Sequence, residues 1–368
     1  IGAFRYRLPP SGWQPEGWTP PTKANAMIST KNVHLDNAHK TPQFWLIWGV
    51  LCLNVSAGIG VIGMASPMLQ EIFAGKLIGL PDVGFNALDA SQKAQIAAIA
   101  AGFAGLLSLF NIGGRFFWAS LSDKIGRKPI ILAGCLIGAL TLFPIFKMIT
   151  TNANPALEKA YETVKVQVVA DPAGCGDLFN PVGTRVFTAP CDTARAFLAQ
   201  SSVKYATVPG PAGSPVKVTV NDKDVPYTDA KTSNPAITAA VLAAGYPKPG
   251  DAGIVKMSNP FDVFRPQVAA VIGLLFILVL YVTMVYGPIA AMLVELFPTR
   301  IRYTSMSLPY HIGNGWFGGL LPATAFAITA STGDIYSGLW YPVIFAAITV
   351  VVGALFIPET KDVDITKT

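Results

Sequence analysis

The chain has 368 residues, of which 52% are hydrophobic and 13% are charged, and its mean hydropathy is +0.47. About a quarter of the residues in a soluble domain are charged, so this composition excludes an ordinary soluble protein. It indicates an integral membrane protein with some soluble mass. The net charge of +6 comes from Lys and Arg spread along the chain, which favours cationic loops beside a membrane over nucleic-acid binding.

The first part of the chain predicts a tail and three membrane spans. Residues 1–42 are basic and rich in Pro, and we expect a cytoplasmic tail or a linker between helical bundles. They contain no signal peptide, and the chain begins at Ile1, so we expect the N-terminus of a larger protein to be missing. Apolar runs at residues 43–64, 94–121 and 129–149 approach or exceed the ~20 residues that cross a bilayer. The intervening residues 67–93 then form an external loop.

A polar stretch, residues 150–262, interrupts the membrane pattern and predicts an inserted soluble domain of α/β or mainly β structure. Residues 216–227 read as a hairpin, and residues 190–200 as a helix that starts at a proline. Cys175 and Cys191 flank a Gly- and Pro-containing segment of this insert, and we expect them to form a disulfide if the insert lies outside.

Apolar runs return at residues 266–296, 304–330 and 336–357, so the second membrane region covers residues 263–358 and a tail covers 359–368. Pro288 is expected to bend or break the first of these spans. The turns at 122–128 and 298–302 are basic, which places them and both termini in the cytoplasm. The insert is then external, and we expect the protein in a bacterial inner membrane.

One turn between two spans has an unusual order of charges. It contains the cations Lys124, Arg127 and Lys128 together with Asp123 and Gly126. Glycine permits a tight reversal, and Asp123 can pair with Arg127 or accept backbone hydrogen bonds. An ordinary positive-inside loop is the simpler interpretation, but it does not require this order of residues.

The stretch from Ala119 to Lys128 resembles the signature G-x-x-x-D-[RK]-x-G-R-[RK] of the major facilitator superfamily, with Ala119 in place of the first glycine. The resemblance implies an all-α membrane protein that works as a secondary transporter. The six predicted spans would correspond to one half of its helices, a six-helix bundle carrying the insert. A missing N-terminal six-helix bundle or a second chain would then complete the transporter in the lipid bilayer.

Two families within this superfamily resemble different parts of the chain. Residues 1 to about 127 resemble the oxalate/formate antiporter family, for example in Lys40-Thr-Pro-Gln-Phe-Trp45 and Gly113-Gly-Arg115. From about residue 122 the chain resembles the metabolite:proton symporter family, for example in Glu295-Leu-Phe-Pro-Thr-Arg300-Ile-Arg302 and Ile357-Pro-Glu-Thr-Lys361. The switch at the shared turn predicts a natural fusion or a misassembled reading frame.

Arg115 is the main candidate for substrate binding. It precedes Asp123 by eight residues, which places it about 12 Å into the membrane. An arginine at that depth is a functional candidate, although its side chain can also extend to the headgroups. The antiporter resemblance implies that it holds a carboxylate. That family also uses a lysine in the span at 304–330, where this sequence has none, so oxalate itself is a poor expectation.

His311 is the candidate proton carrier, because histidine titrates near neutral pH; a hydrogen bond between helices is the equal alternative. Asn314 lies one helical step away, and Asn54 is a weaker polar candidate in the first span. Glu295 and Arg302 bracket the turn that contains Arg300, and we expect these charges to act in gating or to be structural, and not to bind substrate.

The sequence contains no Walker-type phosphate loop, no G-x-S-x-G elbow and no His/Cys metal motif. We therefore expect no enzyme, metal or cofactor. The leading hypothesis is a secondary transporter of small organic anions, such as carboxylates, coupled to a proton or a counter-anion. The alternative is a membrane-anchored external module, in which the insert binds a ligand or partner.

Overall fold

The computed structural model describes residues 78–80, 88–181, 184–248, 264–296, 310–357 and 359–361, together with single positions at 40, 70, 83, 303 and 307. The predicted span at 43–64 and the predicted turn at 298–302 lie outside the described residues. Within the described part, three helical segments are long and apolar enough to cross a membrane: Arg127–Ala153, Pro266–Leu293 and Ser337–Phe356.

Helix α1 covers Ala90–Ile125 and begins four residues before the predicted start at 94. The reason is a capping box around Asp89. Its carboxylate accepts from the Gln92 amide at 2.9 Å, and the Gln92 side chain accepts from the Asp89 amide at 3.0 Å. Together these bonds satisfy two amides at the helix start that have no partner within the helix.

Helix α2 covers Arg127–Ala153, and Gly126 is the one residue between it and α1. The seven-residue turn predicted at 122–128 is therefore too long, since residues 122–125 complete the last turn of α1. Gly126 makes the short connection possible with a φ of 121°, a region that residues with a Cβ avoid. At its other end α2 continues four residues beyond the predicted 149, so the polar insert starts later than predicted.

Residues 155–248 form a four-stranded sheet with three helices. Helix α3 (Pro155–Thr163) precedes β1 (Val166–Ala170), and α4 (Pro190–Gln200) has the predicted bounds. Then follow β2, β3, β4 and α5, which cover Ala206–Pro209, Lys217–Val220, Lys223–Pro226 and Ala230–Ala244.

The strands of this sheet lie in the order β2-β1-β3-β4. Strands β1 and β2 are parallel, whereas β3 pairs antiparallel with both β1 and β4. The predicted hairpin is the β3–β4 pair, which turns at Asn221 and Asp222 with φ of 47° and 64°. Val168, Val218, Leu198 and Ile237 are fully buried between sheet and helices, so this part has its own apolar core.

Helix α6 covers Pro266–Leu296, the bounds that were predicted, and it continues through Pro288 without a break. It packs against both α1 and α2 along its length. Neighbouring helices allow a proline inside a membrane helix, because they constrain the segment while local adjustments satisfy the freed carbonyl.

The structure describes the predicted span at 304–330 continuously from residue 310 onward. That part is not a uniform α-helix. Gly313–Gly318 adopts a π-helical turn, and helix α7 covers Gly319–Thr332. A short 3-10 turn, Ser337–Leu339, then leads into helix α8, Trp340–Phe356. Helix α8 packs against α2. The start of α2 and the ends of α1, α6 and α8 therefore share one end of the molecule, and the segment 155–248 lies at the other.

Candidate functional site

The junction between α1 and α2 carries a buried arginine. Arg127 is the first residue of α2 and is only 5% exposed. Its guanidinium donates to Glu295 Oε1 from Nη2 at 2.9 Å and pairs with Asp123 through Nη1 at 2.5 Å. Nη1 also donates to the Ser122 hydroxyl at 2.5 Å. One cation thus joins the end of α1 to the end of α6.

Glu295 is 3% exposed and lies in the last turn of α6. Its second oxygen, Oε2, accepts from the Thr360 hydroxyl at 2.6 Å. Because burying a carboxylate is costly unless its oxygens are paired, Arg127 and Thr360 together provide partners for both oxygens of Glu295. This contact brings in the segment that follows α8.

Glu359 binds the exposed amides at the start of α2. Its Oε1 accepts from the Arg127 amide at 2.8 Å, and its Oε2 accepts from the Lys128 amide at 3.1 Å. Helix N-termini attract anions, because their first amides lack partners within the helix. A Cβ at Gly126 would lie against the Glu359 carboxylate, so this position requires glycine for space as well as for backbone conformation.

Two lysines add further links at the same end. Lys128 donates from Nζ to the Ala354 carbonyl at 2.9 Å, and Lys361 donates from Nζ to the Lys124 carbonyl at 2.6 Å. We call the group Asp123, Arg127, Glu295, Glu359 and Thr360 the junction cluster. It connects α1, α2, α6 and the segment after α8, so any separation of these helix ends must break charged contacts.

Arg115 lies on α1, away from the junction cluster. Its Nε donates to Asn111 Oδ1 at 2.6 Å, and its guanidinium carbon lies 4.8 Å from the centre of the Tyr286 ring on α6. The Arg115 side chain is exposed, whereas Tyr286 is 9% exposed. Arg115 is therefore held by an amide and an aromatic face while part of its guanidinium stays accessible. An anion can approach such a group.

The structure describes only some of the remaining predicted site residues. His311 is exposed, and its ring lies edge-on to Tyr310 with the centroids 5.8 Å apart. Asn314 belongs to the π-helical turn, but its side chain is outside the described part. Asn54, Arg300 and Arg302 also lie outside the described residues. The structure thus brings Asp123, Arg127 and Glu295 together and leaves the grouping of His311 with Arg115 untested.

Sequence reasoning missed Asn111, Ser122, Glu359 and Thr360 as contact residues. Glu359 and Thr360 were recognised only within the stretch that carries a family resemblance. Their partner Arg127 is 232 residues before Glu359, too far for any spacing rule. Asn111 carried a usable signal, because it lies four residues before Arg115 and such pairs share a helix face.

Among the described residues, no three His, Cys, Asp or Glu side chains lie close enough together to hold a metal ion. The acidic residues of the junction cluster are instead bound by Arg127, by backbone amides and by a hydroxyl. The arrangement can therefore hold helix ends together and release them. It contains no nucleophile–base pair of the kind that covalent catalysis needs.

Part of the chain is similar to known proteins. Residues 253–368 match a family described as "Sugar (and other) transporter". Two proteins of Haemophilus influenzae, both provisionally named metabolite transport proteins, are 30% identical over 115 residues and 37% identical over 112 residues. The matches cover 31% and 30% of this chain, and 26% and 24% of the relatives, so the chain spans about a quarter of their length.

No solved structure matches the chain significantly. The family match includes α6, α7, α8 and the Glu295 and Glu359 side of the junction cluster. Together with the three apolar helices, these similarities support an integral membrane protein whose C-terminal third is similar to transporters.

Proposed function

We propose that the chain forms part of a secondary active transporter for small organic anions, with carboxylates as the substrate class. Transport is coupled to proton symport or to exchange against a counter-anion. The mechanism is rocking of two helical bundles about a central site, and this chain supplies one six-helix bundle. A missing N-terminal bundle or a second chain supplies the other.

The observation that carries this proposal is the junction cluster. Arg127 and Glu295 are 5% and 3% exposed and are paired at 2.9 Å between different helices. Removing one partner of a buried pair is strongly destabilising, whereas the intact pair adds little net stability. Such a pair therefore contributes little to overall stability but resists separation of the two helix ends. A transporter needs a contact of this kind, because the helix ends on its two sides must separate and close in turn.

The substrate part of the proposal rests on Arg115. Its guanidinium is accessible and positioned by Asn111 and Tyr286. An arginine can bind a carboxylate through two parallel hydrogen bonds. His311 is the proposed proton carrier, with Asn314 and Asn54 as further polar contacts. We place the junction cluster on the cytoplasmic side of a bacterial inner membrane and the segment 155–248 outside.

The proposed fusion of two transporter relatives has one consequence for the junction cluster. Glu295 and Glu359 follow the shared turn at 122–128, whereas Asp123 and Arg127 lie within it. Because both relatives share the charge pattern of that turn, recombination there leaves the pairs of the cluster matched. Sequencing the genomic DNA upstream of Ile1 tests this, since a fusion requires antiporter-like helices there.

The full-length protein that contains this chain provides the test of function. We expect the parent protein in proteoliposomes to take up labelled mono- or dicarboxylates, driven by a proton gradient or by an internal carboxylate. Arg127→Gln should reduce uptake at least about tenfold, because it leaves Glu295 as an unpaired buried charge. Lys147→Gln removes a cation from the other, exposed end of α2 and should preserve uptake.

The alternative is a membrane-anchored external module. It predicts that the chain binds a ligand through residues 150–262 while the full-length protein carries no flux. Absence of uptake for every acid and both driving forces, with correct membrane insertion, would favour this alternative. Equal uptake by the parent and by Arg127→Gln would show that transport does not require the Arg127–Glu295 pair of the junction cluster. The proposal that the protein is a transporter would be unaffected.

A further inference from the structure

The segment 155–248 makes buried polar contacts with the C-terminal end of α7. Arg195 on α4 donates from Nε to the Ala330 carbonyl at 3.2 Å, and the Tyr205 hydroxyl donates to the same oxygen at 2.5 Å. Both side chains are almost fully buried, at 6% and 4% exposure. Burial raises the pKa of Tyr205 to about 12, so its hydroxyl remains a donor at neutral pH.

Ala330 is in the last turn of α7, where the carbonyls have no partner within the helix. This end of a helix also carries partial negative charge, which attracts a cation. Arg195 and Tyr205 therefore cap α7 from a distant part of the chain. Because such buried groups are costly to leave unpaired, detaching the insert from α7 would leave the Ala330 carbonyl and the Arg195 Nε without these partners, whereas the Tyr205 hydroxyl could still donate to the Arg195 carbonyl.

The contact continues through the residues after α7. Gly333 ends the helix with a φ of 76°, and its carbonyl accepts from the Tyr205 amide at 2.9 Å. A Cβ on Gly333 would overlap the Tyr205 carbonyl oxygen, which shows how closely the two backbones approach. Lys204 pairs with Asp334 at 3.7 Å. The loop between α7 and α8 is thus held along its length by the insert.

An apolar patch accompanies these polar contacts. Leu178, Ala196 and Ala330 are buried together, with Phe187 and Phe326 packed against them. Leu178 and Ala330 are both 0% exposed. The insert and α7 therefore share a buried apolar contact, so motion at the end of α7 is coupled to the insert.

The disulfide between Cys175 and Cys191 supports the arginine in this contact. The Gly176 carbonyl, next to Cys175, accepts from Arg195 Nη1 at 3.1 Å. Asp192, next to Cys191, accepts the Gly176 amide at 2.8 Å and lies 3.9 Å from Arg195 Nη1. The bridge thus joins the two short segments that orient the guanidinium.

We propose that residues 155–248 act as a clamp on the α7–α8 loop, in which Arg195 and Tyr205 are positioning residues and the Cys175–Cys191 disulfide sets the strength of the hold. When a dithiol reductant transfers two electrons and two protons to the bridge, both cysteines become thiols and the dithiol closes to its own disulfide. Gly176 then keeps only hydrogen bonds as its link to α4, the acceptor of Arg195 is held less firmly in place, and the end of α7 opens more often. This inference does not depend on what the protein transports.

Hydrogen–deuterium exchange of the full chain in lipid nanodiscs tests the clamp. Arg195→Gln is expected to speed exchange of the backbone amides at residues 329–336 about tenfold, since a buried acceptor loses a charged donor. Amides at the start of α2, at the opposite end, should not change. Arg185→Gln is the matched control, because Arg185 is exposed and pairs with Asp177 on the surface. Equal protection of residues 329–336 in Arg195→Gln and in the parent would overturn the clamp.

Gly333→Ala gives a second, independent variant on the other side of the contact, and it should also speed exchange at residues 329–336. Protection of β1 and β3 amides reports whether the insert remains folded in each variant. If Gly333→Ala leaves both the loop and the insert fully protected, the close contact does not hold the loop and the proposal is wrong.

The role of the disulfide is tested by the same exchange experiment with dithiothreitol as the dithiol reductant. Reduction should speed exchange at residues 329–336 in the parent, and reoxidation should reverse the change. The Cys175→Ser/Cys191→Ser variant should show fast exchange without reductant and no response to it, which would show that the reductant acts through this bridge. An unchanged loop in the reduced parent, with both thiols shown by alkylation to be free, would overturn the role of the disulfide.

Discussion

Two arginines near the α1–α2 junction have opposite surroundings. Arg127 is buried, and its guanidinium is paired with Glu295 and Asp123. Arg115 is exposed, and within the described part of the chain it contacts the neutral amide of Asn111 and the aromatic ring of Tyr286. A fully paired guanidinium is unavailable to a ligand, whereas Arg115 retains donors for one. The difference in partners therefore fits the proposal that Arg127 is structural and that Arg115 binds the substrate.

At the residue scale we expect Arg115→Lys to weaken carboxylate binding by the full-length transporter about tenfold or more. A lysine keeps the charge but cannot form the paired hydrogen bonds of a guanidinium, and a hydrogen bond to a charged group contributes about 1.5–3 kcal/mol. Arg115→Gln should weaken binding further. The measurement is the thermal stabilisation of the purified variants by a panel of mono- and dicarboxylates.

A side chain that only extends to the headgroups makes a different prediction for this position. Lysine would then substitute fully for arginine, because both place a cation at the membrane surface. If Arg115→Lys binds the same acids as tightly as the parent, Arg115 is not the anchor. The search for it then moves to Asn54, His311 and Asn314.

At the element scale the α1–α2 junction depends on Gly126. Its φ of 121° and the nearby Glu359 carboxylate both exclude a side chain. We expect Gly126→Ala to destabilise the protein by about 1–3 kcal/mol, the typical cost of a strained backbone residue. Gly138→Ala in α2 is the control, because a Cβ there meets no atom within 4 Å and alanine favours helix.

The comparison of apparent melting temperatures in one detergent decides this prediction. Gly126→Ala should melt clearly below the parent, and Gly138→Ala at or above it. Equal melting of the two variants would mean that the junction tolerates another backbone conformation. The Glu359 cap on α2 would then contribute less than its geometry indicates.

The elements that the sequence predicted well are those whose signals are local. Helix α6 begins at Pro266 and α4 at Pro190, as predicted, because proline suits the first position of a helix. The start of α1 was predicted too late, since its capping box lies outside the apolar run. Hydropathy locates the membrane-facing part of a helix and does not detect polar turns that extend it.

The candidate site was predicted only as a set of residues, without its pairings. The order of charges at 122–128 identified Asp123 and Arg127, and the turn after α6 identified Glu295. No local pattern indicated that Glu359 would cap α2, because that bond joins residues 232 positions apart. The clamp on α7 was missed for the same reason, since Arg195 and Ala330 are separated by 135 positions.

At the scale of the molecule, the bundle has an exposed face that combines apolar residues with a cation. Phe110, Phe116 and Phe117 on α1 are 57–73% exposed, and Arg115 lies exposed among them. Lipid can cover the aromatic side chains, but a cation at this depth is costly in hydrocarbon. A second bundle with a polar cavity between the two would cover both. We therefore expect this face of α1 to be the surface that meets the other half of the transporter.

Cysteine cross-linking in native membranes tests that arrangement on the full-length protein. We expect Phe116→Cys to be cross-linked to the second bundle by a short bifunctional reagent. Leu355→Cys on α8 should not be cross-linked there, although Leu355 is 71% exposed, because α8 packs on α2 away from α1 and faces lipid. The chain expressed alone should give no net carboxylate uptake in proteoliposomes, unless two copies pair through the α1 face, in which case Phe116→Cys should join them. Cross-linking at Leu355 but not at Phe116 would place the second bundle on the opposite side and leave Arg115 outside the transport path.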